Sequence, residues 1–496
     1  MKRVVSAEEM RAYERSRFAN GQANSLHWME RAAEGVDALL MGRYPDKSVL
    51  CVCGTGNNGG DGFALLRLLT QRGIPCAGVL LGGSGKLSGD ARTNYLSAVG
   101  CGLVVYDTLS DALVQTYDVL VDALFGTGLS RPLTGIYAGA VSDMNASGKP
   151  IVAIDLPSGV DATTGEVLGC AVQARETVTF EFYKRGQLLF PGRELCGEVI
   201  LHPLSDEKQN GKCAVALFER EDAARLLPRR PPDSHKGRNG RALLCVGSES
   251  YAGAALLSVG AALRVGAGLT TAAVPGRVKN AFANLPEAMC LPVNDGADWD
   301  SEGCERAIAQ MENKNALCVG CGAGAGNILP LITAALQSGC SIVLDADALN
   351  QIAKAPEMLR LLHPNAILTP HPAEMARICG ETIETILRDP IGIAGSYARR
   401  WNCVVLLKGA TTCIASGDVV RLNTSGNAGL AKGGSGDVLA GLITGLLAQG
   451  LSAFDAASCG AFLLGVSADM ALELLRERML LARDVITAVE QTIAEW

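Results

Sequence analysis

The sequence predicts an α/β protein built as two doubly wound, three-layer domains. The chain has 496 residues, more than one hydrophobic core ordinarily organises. Short apolar runs alternate with helical patterns in two successive series, as expected of mostly parallel sheets covered by helices on both faces. Between the series the pattern breaks: residues 205–212 are polar and residues 227–234 are proline-rich. The domains are therefore placed at 1–215 and 225–496.

The elements follow in order. Ser6 with Glu9 three residues later is a capping-box pattern, and Met10, Tyr13 and Phe18 continue at partial helical spacing. Residues 48–53, 77–81, 118–123 and 151–155 read as strands, with a helix over 63–72. In the second series the strands are 241–247, 269–274, 316–320, 341–345, 366–369 and 403–408. Three helices, 438–447, 456–475 and 482–495, close the chain.

Composition narrows the function classes. Lys plus Arg is 44 and Asp plus Glu is 51, a formal charge of −7, which offers no footprint for nucleic acid or an anionic membrane. Apolar residues make up 48% and charged ones 19%, which excludes disorder as the main state. No apolar run is long enough to span a bilayer, and the N-terminus lacks the apolar core of a secretory signal. Of the seventeen cysteines, Cys51, Cys53, Cys245, Cys318 and Cys403 lie inside apolar runs, where thiols behave as small hydrophobes, so a cytoplasmic setting is expected. One Cys-x-x-Cys, Cys318 to Cys321, has neither a second pair nor a histidine cluster to complete a zinc site. Glycine is in surplus, 58 of 496 residues or about 12% against ~7% in ordinary proteins.

In the first series three strand ends carry Asp or Asn with glycine. One runs into Gly54-Thr55-Gly56-Asn57-Asn58-Gly59-Gly60-Asp61-Gly62, which is neither a Rossmann fingerprint nor a P-loop. The second delivers Asp122 and leads to Gly126-Thr127-Gly128-Leu129-Ser130-Arg131-Pro132; the third delivers Asp155 and reaches Ser158-Gly159. Such ends converge on the sheet edge where open α/β folds bind ligands. Asp122 and Asp155 also admit a plainer reading as helix caps. These runs closely resemble the NAD(P)H-hydrate epimerase family, a Rossmann-like fold, over nearly all of residues 1–210. The resemblance implies a dinucleotide held by Asn57, Asn58, Gly59, Gly60 and Asp61, by residues 126–132 and by Tyr137. It implies a potassium ion on Asn58, Asp122 and Ser158, an oxygen-only set suited to a hard cation. Asp155 then matches the substrate-binding acid and is the candidate acid/base.

In the second series Gly433-Gly434-Ser435-Gly436-Asp437 precedes a long apolar helix, and Lys408-Gly409-Ala410-Thr411-Thr412 follows a strand. Backbone N–H groups at such a helix start suit a transferring phosphoryl group, and Asp437 is placed to take a proton from an attacking hydroxyl or, more simply, to cap the helix. His371, between two prolines, reads as a ligand contact or as a satisfied buried histidine. The glycine run resembles the ribokinase-like superfamily. His235-Lys236-Gly237, Pro286-Glu287-Ala288-Met289 and Thr369-Pro370-His371-Pro372 narrow the resemblance to its ADP-dependent NAD(P)H-hydrate dehydratase branch over about 225–496. That implies nucleotide contacts at Lys408, Gly409, Ala410, Thr411, Thr412 and Gly436, and hydrated-dinucleotide contacts at Ala254, Gly322, His371 and Asp437. Cys321 departs from the proline common there.

Together the two resemblances imply a bifunctional lyase and isomerase that repairs the hydrates NADHX and NADPHX. Its first half would interconvert the epimers, and its second would dehydrate the S form with ADP as co-substrate and magnesium on the phosphates. A homo-oligomer is the expected assembly. Two other readings stay open: a C-terminal kinase for a small alcohol, and an N-terminal half that only binds.

Overall fold

The computed structural model describes residues 1–206 and 213–494. Residues 207–212, the larger part of the polar stretch read as a boundary, and Glu495 of the closing helix lie outside the described residues. The chain divides into two compact units, Lys2–Lys212 and Cys213–Trp496, the latter including Met1.

In the Lys2–Lys212 unit seven parallel strands follow the order Val105–Tyr106, Cys76–Leu80, Val49–Cys53, Val119–Ala123, Ile151–Ile154, Glu176–Phe180, Glu198–His202. The strand order reverses beside Val49–Cys53, the switch point at which doubly wound sheets open a binding crevice. Alternation along that strand explains the layers. Cys51 and Cys53 pack with Phe63, Leu66 and Val36 on one face, while Leu50 and Val52 pack with Val141 and Met144 on the other. The Ser6–Glu9 capping box forms, opening the helix Ala7–Ala19. Before it, Lys2–Val5 pairs in parallel with the two-residue strand Tyr183–Lys184, a short ladder that the sequence reading did not include.

The first glycine run departs from expectation. It was read as a turn ahead of a helix over 63–72, but the helix is Asn57–Gln71, with Gly56 at its N-cap and Gly59, Gly60 and Gly62 in its opening turns. The reason is close packing. A Cβ on Gly59 would come within 2.0 Å of the Gly54 carbonyl oxygen, so only glycine lets the helix start this near the strand end.

In the Cys213–Trp496 unit the strands run Met289–Pro292, Leu269–Val274, Arg241–Cys245, Ala316–Val319, Ser341–Leu344, Ala366–Leu368, Val404–Leu407, all parallel. An antiparallel hairpin, Thr412–Ser416 with Val419–Asn423, then extends the sheet, and Val215–Leu217 joins parallel to its second strand. The helices Ala252–Arg264, Ser435–Ala448 and Ala453–Ala471 cover one face, burying Val259, Leu442 and Leu463 against Leu244, Cys318 and Val343. Among the described residues no helix is long and apolar enough to cross a membrane.

Candidate functional sites

In the Lys2–Lys212 unit a cavity of about 560 Å³ opens at the carboxyl ends of the strands. Of the residues singled out from the sequence, Asn57, Asn58, Asp61, Gly126, Thr127, Gly128, Leu129 and Asp155 line it. Gly59, Gly60, Ser130, Arg131, Pro132 and Tyr137 are not in its wall; Tyr137 instead packs edge-on against Phe125, 5.0 Å between ring centres.

Asp155 holds the centre. Its φ of 67° is left-handed, a conformation that costs an L-residue energy and persists where the surroundings impose it. Its N–H donates to Val178 O at 2.8 Å and Gln187 Nε2 donates to its carbonyl at 2.6 Å. The carboxylate accepts from Thr127 N–H at 3.2 Å and pairs with Lys184 at 2.6 Å. Neither Asp155 nor Asp122 caps a helix by its side chain, so the capping alternative gives way.

Asp122 lies fully buried below the cavity floor. It accepts from Ser158 N–H and Ser158 Oγ, each at 2.7 Å, and from Leu124 N–H at 3.1 Å. Among the described residues no cation pairs with it, and burial, partly offset by these hydrogen bonds, pushes its carboxyl up to about 6. Asn58 is buried beside Gly126, with its Nδ2 unpartnered. Among the cavity residues that the sequence did not single out, Lys184 and Glu14 bear charge close to Asp155. Lys184 is almost wholly buried, and Glu14 reaches in from the helix Ala7–Ala19. Burial, then the charge of Asp155, raises the Glu14 carboxyl above its ordinary range; the same two causes raise Asp61 well above it. Glu14 was findable, since it falls four residues after Met10 on the buried stripe of its helix.

In the Cys213–Trp496 unit the helix Ser435–Ala448 begins behind Gly434, whose φ of 100° suits only glycine. Gly434, not Asp437, occupies the N-cap, and no side chain caps the helix, so Asp437 is not there as a cap. Lys408, following the strand Val404–Leu407, places Nζ 2.8 Å from Asp345 Oδ1 and 3.7 Å from Glu374 Oε2. Both Lys408 Nζ and Asp345 Oδ2 lie 3.6 Å from where a Gly436 Cβ would be. Thr369 Oγ1 donates to Asp345 Oδ1 at 2.7 Å. Asp437, Asp345 and Cys321 bring a carboxylate oxygen, a second and a sulfur within 4.8 Å of one another. Burial and the charge of Asp345, against the pull of Lys408, push the Asp437 carboxyl up to about 6. Gly322 abuts Ala254, its would-be Cβ 2.7 Å from the Ala254 Cβ.

His371 is neither buried nor idle. It is the N-cap of the helix Pro372–Cys379, its Nδ1 accepting from Ala373 and Glu374 N–H, with Nε2 half-exposed 3.5 Å from Glu374 Oε1. Gly409 leads into Thr412, whose hydroxyl donates to the Gly409 carbonyl at 3.3 Å. Cys318 and Cys321 sit 4.0 Å apart between sulfurs, both free and fully buried.

With these geometries in place, the similarity to known proteins is decisive. Residues 25–186 match the family described as YjeF-related protein N-terminus, and residues 242–490 match NAD(P)H-hydrate dehydratase. The bifunctional NAD(P)H-hydrate repair enzyme Nnr of Moorella thermoacetica is 35% identical over 507 aligned positions, covering 97% of this chain and 95% of that one. The Escherichia coli enzyme of the same description is 31% identical, covering 94% and 89%. The chain belongs to the bifunctional NAD(P)H-hydrate repair enzyme family. A solved ribokinase-like superfamily protein from Enterococcus faecalis, 23% identical with a TM-score of 0.50, covers 58% of this chain and 99% of its own, and shows the fold of the C-terminal unit. Membership agrees with the fold expected for each half.

Proposed function

We propose that the chain repairs hydrated nicotinamide dinucleotides. The Lys2–Lys212 unit interconverts R- and S-NAD(P)H hydrates, and the Cys213–Trp496 unit dehydrates the S form at the expense of ADP, giving AMP and phosphate. The observation that carries the reading is the convergence of Asp437, Asp345 and Lys408 at the start of the helix Ser435–Ala448; family membership names the chemistry.

In the dehydration, Asp437 takes the proton of the ring hydroxyl as that oxygen attacks the terminal phosphorus of ADP. The bond to AMP breaks; phosphate then leaves the ring carbon with the bonding electron pair in place of hydroxide, and the neighbouring ring carbon gives up a proton to close the double bond. Lys408, Gly409, Ala410, Thr411, Thr412 and Gly436 hold the nucleotide, while Ala254, Gly322 and His371 hold the dinucleotide. Asp345 offers oxygen donors that would suit magnesium, which would neutralise the charge of the phosphates.

In the epimerisation, Asp155 faces the hydrated ring carbon as acid/base, with Asn57, Asn58, Asp61 and Gly126–Leu129 around the dinucleotide and Ser130, Arg131, Pro132 and Tyr137 beyond them. Asn58, Asp122 and Ser158 would hold potassium: Asp122 is a buried carboxylate lacking a counter-cation, which the ion would supply. Seventeen free thiols support a reducing, cytoplasmic setting, and a homo-oligomer remains the expected assembly.

The test supplies R and S hydrates with ADP and magnesium and follows recovery of reduced-nicotinamide absorbance. Asp437→Asn abolishes recovery from both; Asp155→Asn spares S and slows R. Full activity of Asp437→Asn overturns the assigned base, and a stable phosphorylated product indicates a small-alcohol kinase.

A further inference from the structure

We propose that Lys184 is the positioning residue of the epimerisation site, acting on the hydrate through Asp155. This rests on the reading of Asp155 as the epimerisation acid/base.

The geometry separates Lys184 from the substrate itself. An ammonium has three donors and no acceptor. Here all three have partners: Asp155 Oδ1 at 2.6 Å, Thr179 Oγ1 at 2.9 Å and the Phe180 carbonyl at 3.0 Å. Lys184 is only 1% exposed, although it borders the cavity. No donor is left to point at a ligand. The lysine therefore works on the one partner that does face the ligand.

Its own placement is over-determined. Lys184 ends the short strand Tyr183–Lys184, with Lys184 in register with Val5 on Lys2–Val5. Its N–H donates to Gln187 Oε1 at 2.8 Å, and Gln187 Nε2 in turn donates to the Asp155 carbonyl at 2.6 Å. One loop thus grips Asp155 twice, at the carboxylate by charge and at the backbone by an amide. With the left-handed φ of Asp155, this fixes the direction of its carboxylate and sets a buried positive charge beside it.

Reversible loss of the ring hydroxyl demands a carboxylate so held. When the carbon–oxygen bond breaks, its electron pair leaves with the oxygen, which takes a proton from solvent in the cavity and departs as water. The adjacent ring nitrogen shares its lone pair, and the ring becomes cationic. The carboxylate beside the ring stabilises that cation, takes the proton of the water that re-adds to the opposite face and returns it to solvent, so no proton is gained or lost over the cycle. A carboxylate free to swing does neither. Glu14, Asp61 and Cys196, each from a different helix, feel the charge of Asp155 and supply no positive charge, while Arg11 and Arg15 line the same cavity from the helix Ala7–Ala19.

Equilibration of R with S hydrate, without ADP, is followed by chromatography in the full chain. Lys184→Met lowers kcat about 100-fold and leaves KM within about 2-fold. Lys184→Met in an Asp155→Asn background lowers kcat no further, because the lysine acts only through that carboxylate. Dehydration of the S hydrate with ADP is unchanged in every variant. Thr179→Val, isosteric and without charge change, removes one anchor of the ammonium and lowers kcat about 10-fold; it carries the test if Lys184→Met does not fold. The proposal is overturned by a kcat within about 2-fold of wild type in Lys184→Met, or in Thr179→Val. Equal factors in the two backgrounds, or a raised KM at unchanged kcat, overturn it as well. If the unaltered chain does not interconvert the hydrates, it is the epimerase reading that fails instead.

Discussion

Lys408 Nζ lies 2.8 Å from Asp345 Oδ1, and the pair sits directly beneath the backbone of Gly436. The charge of Lys408 is one of the influences that favour the ionised form of Asp437, the proposed base. The acid limb of kcat/KM for dehydration should fall near pH 6, because a general base is useless once protonated and burial has raised Asp437 to about 6. Lys408→Met should move that limb to higher pH, since the remaining influences of burial and Asp345 both raise it. It should also raise the KM for ADP about 10-fold or more. An unmoved limb in Lys408→Met would contradict the coupling.

With potassium proposed on Asp122, stability and the ion should be linked. Its carboxyl is raised from 3.8 to about 6 by burial, so the folded unit prefers it protonated. Stability therefore falls as pH rises from 3.8 to about 6 and is flat above, a loss of about 3 kcal/mol. A cation on the site offsets that loss only where Asp122 is ionised. Potassium should thus raise the melting temperature at neutral pH and have little effect at the acid end of the window. Asp122→Asn should remove the potassium effect; the same increment in that variant would rule out Asp122 as a ligand.

Gly59→Ala should unmake the epimerisation site. The added methyl would sit 2.0 Å from a backbone oxygen that has no side-chain freedom to yield. A loss of about 2 kcal/mol or more is expected, with the start of the helix Asn57–Gln71 displaced. Dehydration of the S hydrate, belonging to the other compact unit, should persist. Loss of both activities together would show that the units do not fold independently.

The cysteines should react in order of exposure. Cys101 is exposed, whereas Cys51, Cys245, Cys318 and Cys321 are buried. For Cys245 burial pushes the thiol above its ordinary value; for Cys321 the hydrogen bond with Cys318 does so first, then burial. A thiol reagent should meet a fast fraction from Cys101 that Cys101→Ser abolishes, with Cys318 and Cys321 reacting only on unfolding.

Much of this was legible because local rules and tertiary demands agree. The strand Leu269–Val274 and the Ser6–Glu9 capping box are apolar and capping patterns with one sensible outcome. The glycine run at 57–62 misleads for a physical reason: glycine is a helix breaker by propensity, yet here it is selected by the approach of neighbouring backbone. The hairpin Thr412–Ser416 and Val419–Asn423 was overlooked because a βαβ rhythm set the expectation, although Gly417-Asp418 marks its turn. Lys184 was illegible in a stricter sense. Its partner Asp155 stands 29 positions earlier, as the numbering shows, and no spacing along the chain announces an ion pair between separate loops.

The left-handed backbone of Asp155 decides how any substitution there must be interpreted. Aspartate, asparagine and glycine visit that conformation far more readily than other residues. Alanine at 155 would remove the carboxylate and also pull the main chain toward a different shape, dragging the Thr127 and Gln187 contacts with it. Asparagine keeps the shape and removes the charge alone. The gap between the two variants is thus a measure of the backbone's share, and the chemical role of the side chain is what asparagine alone reports.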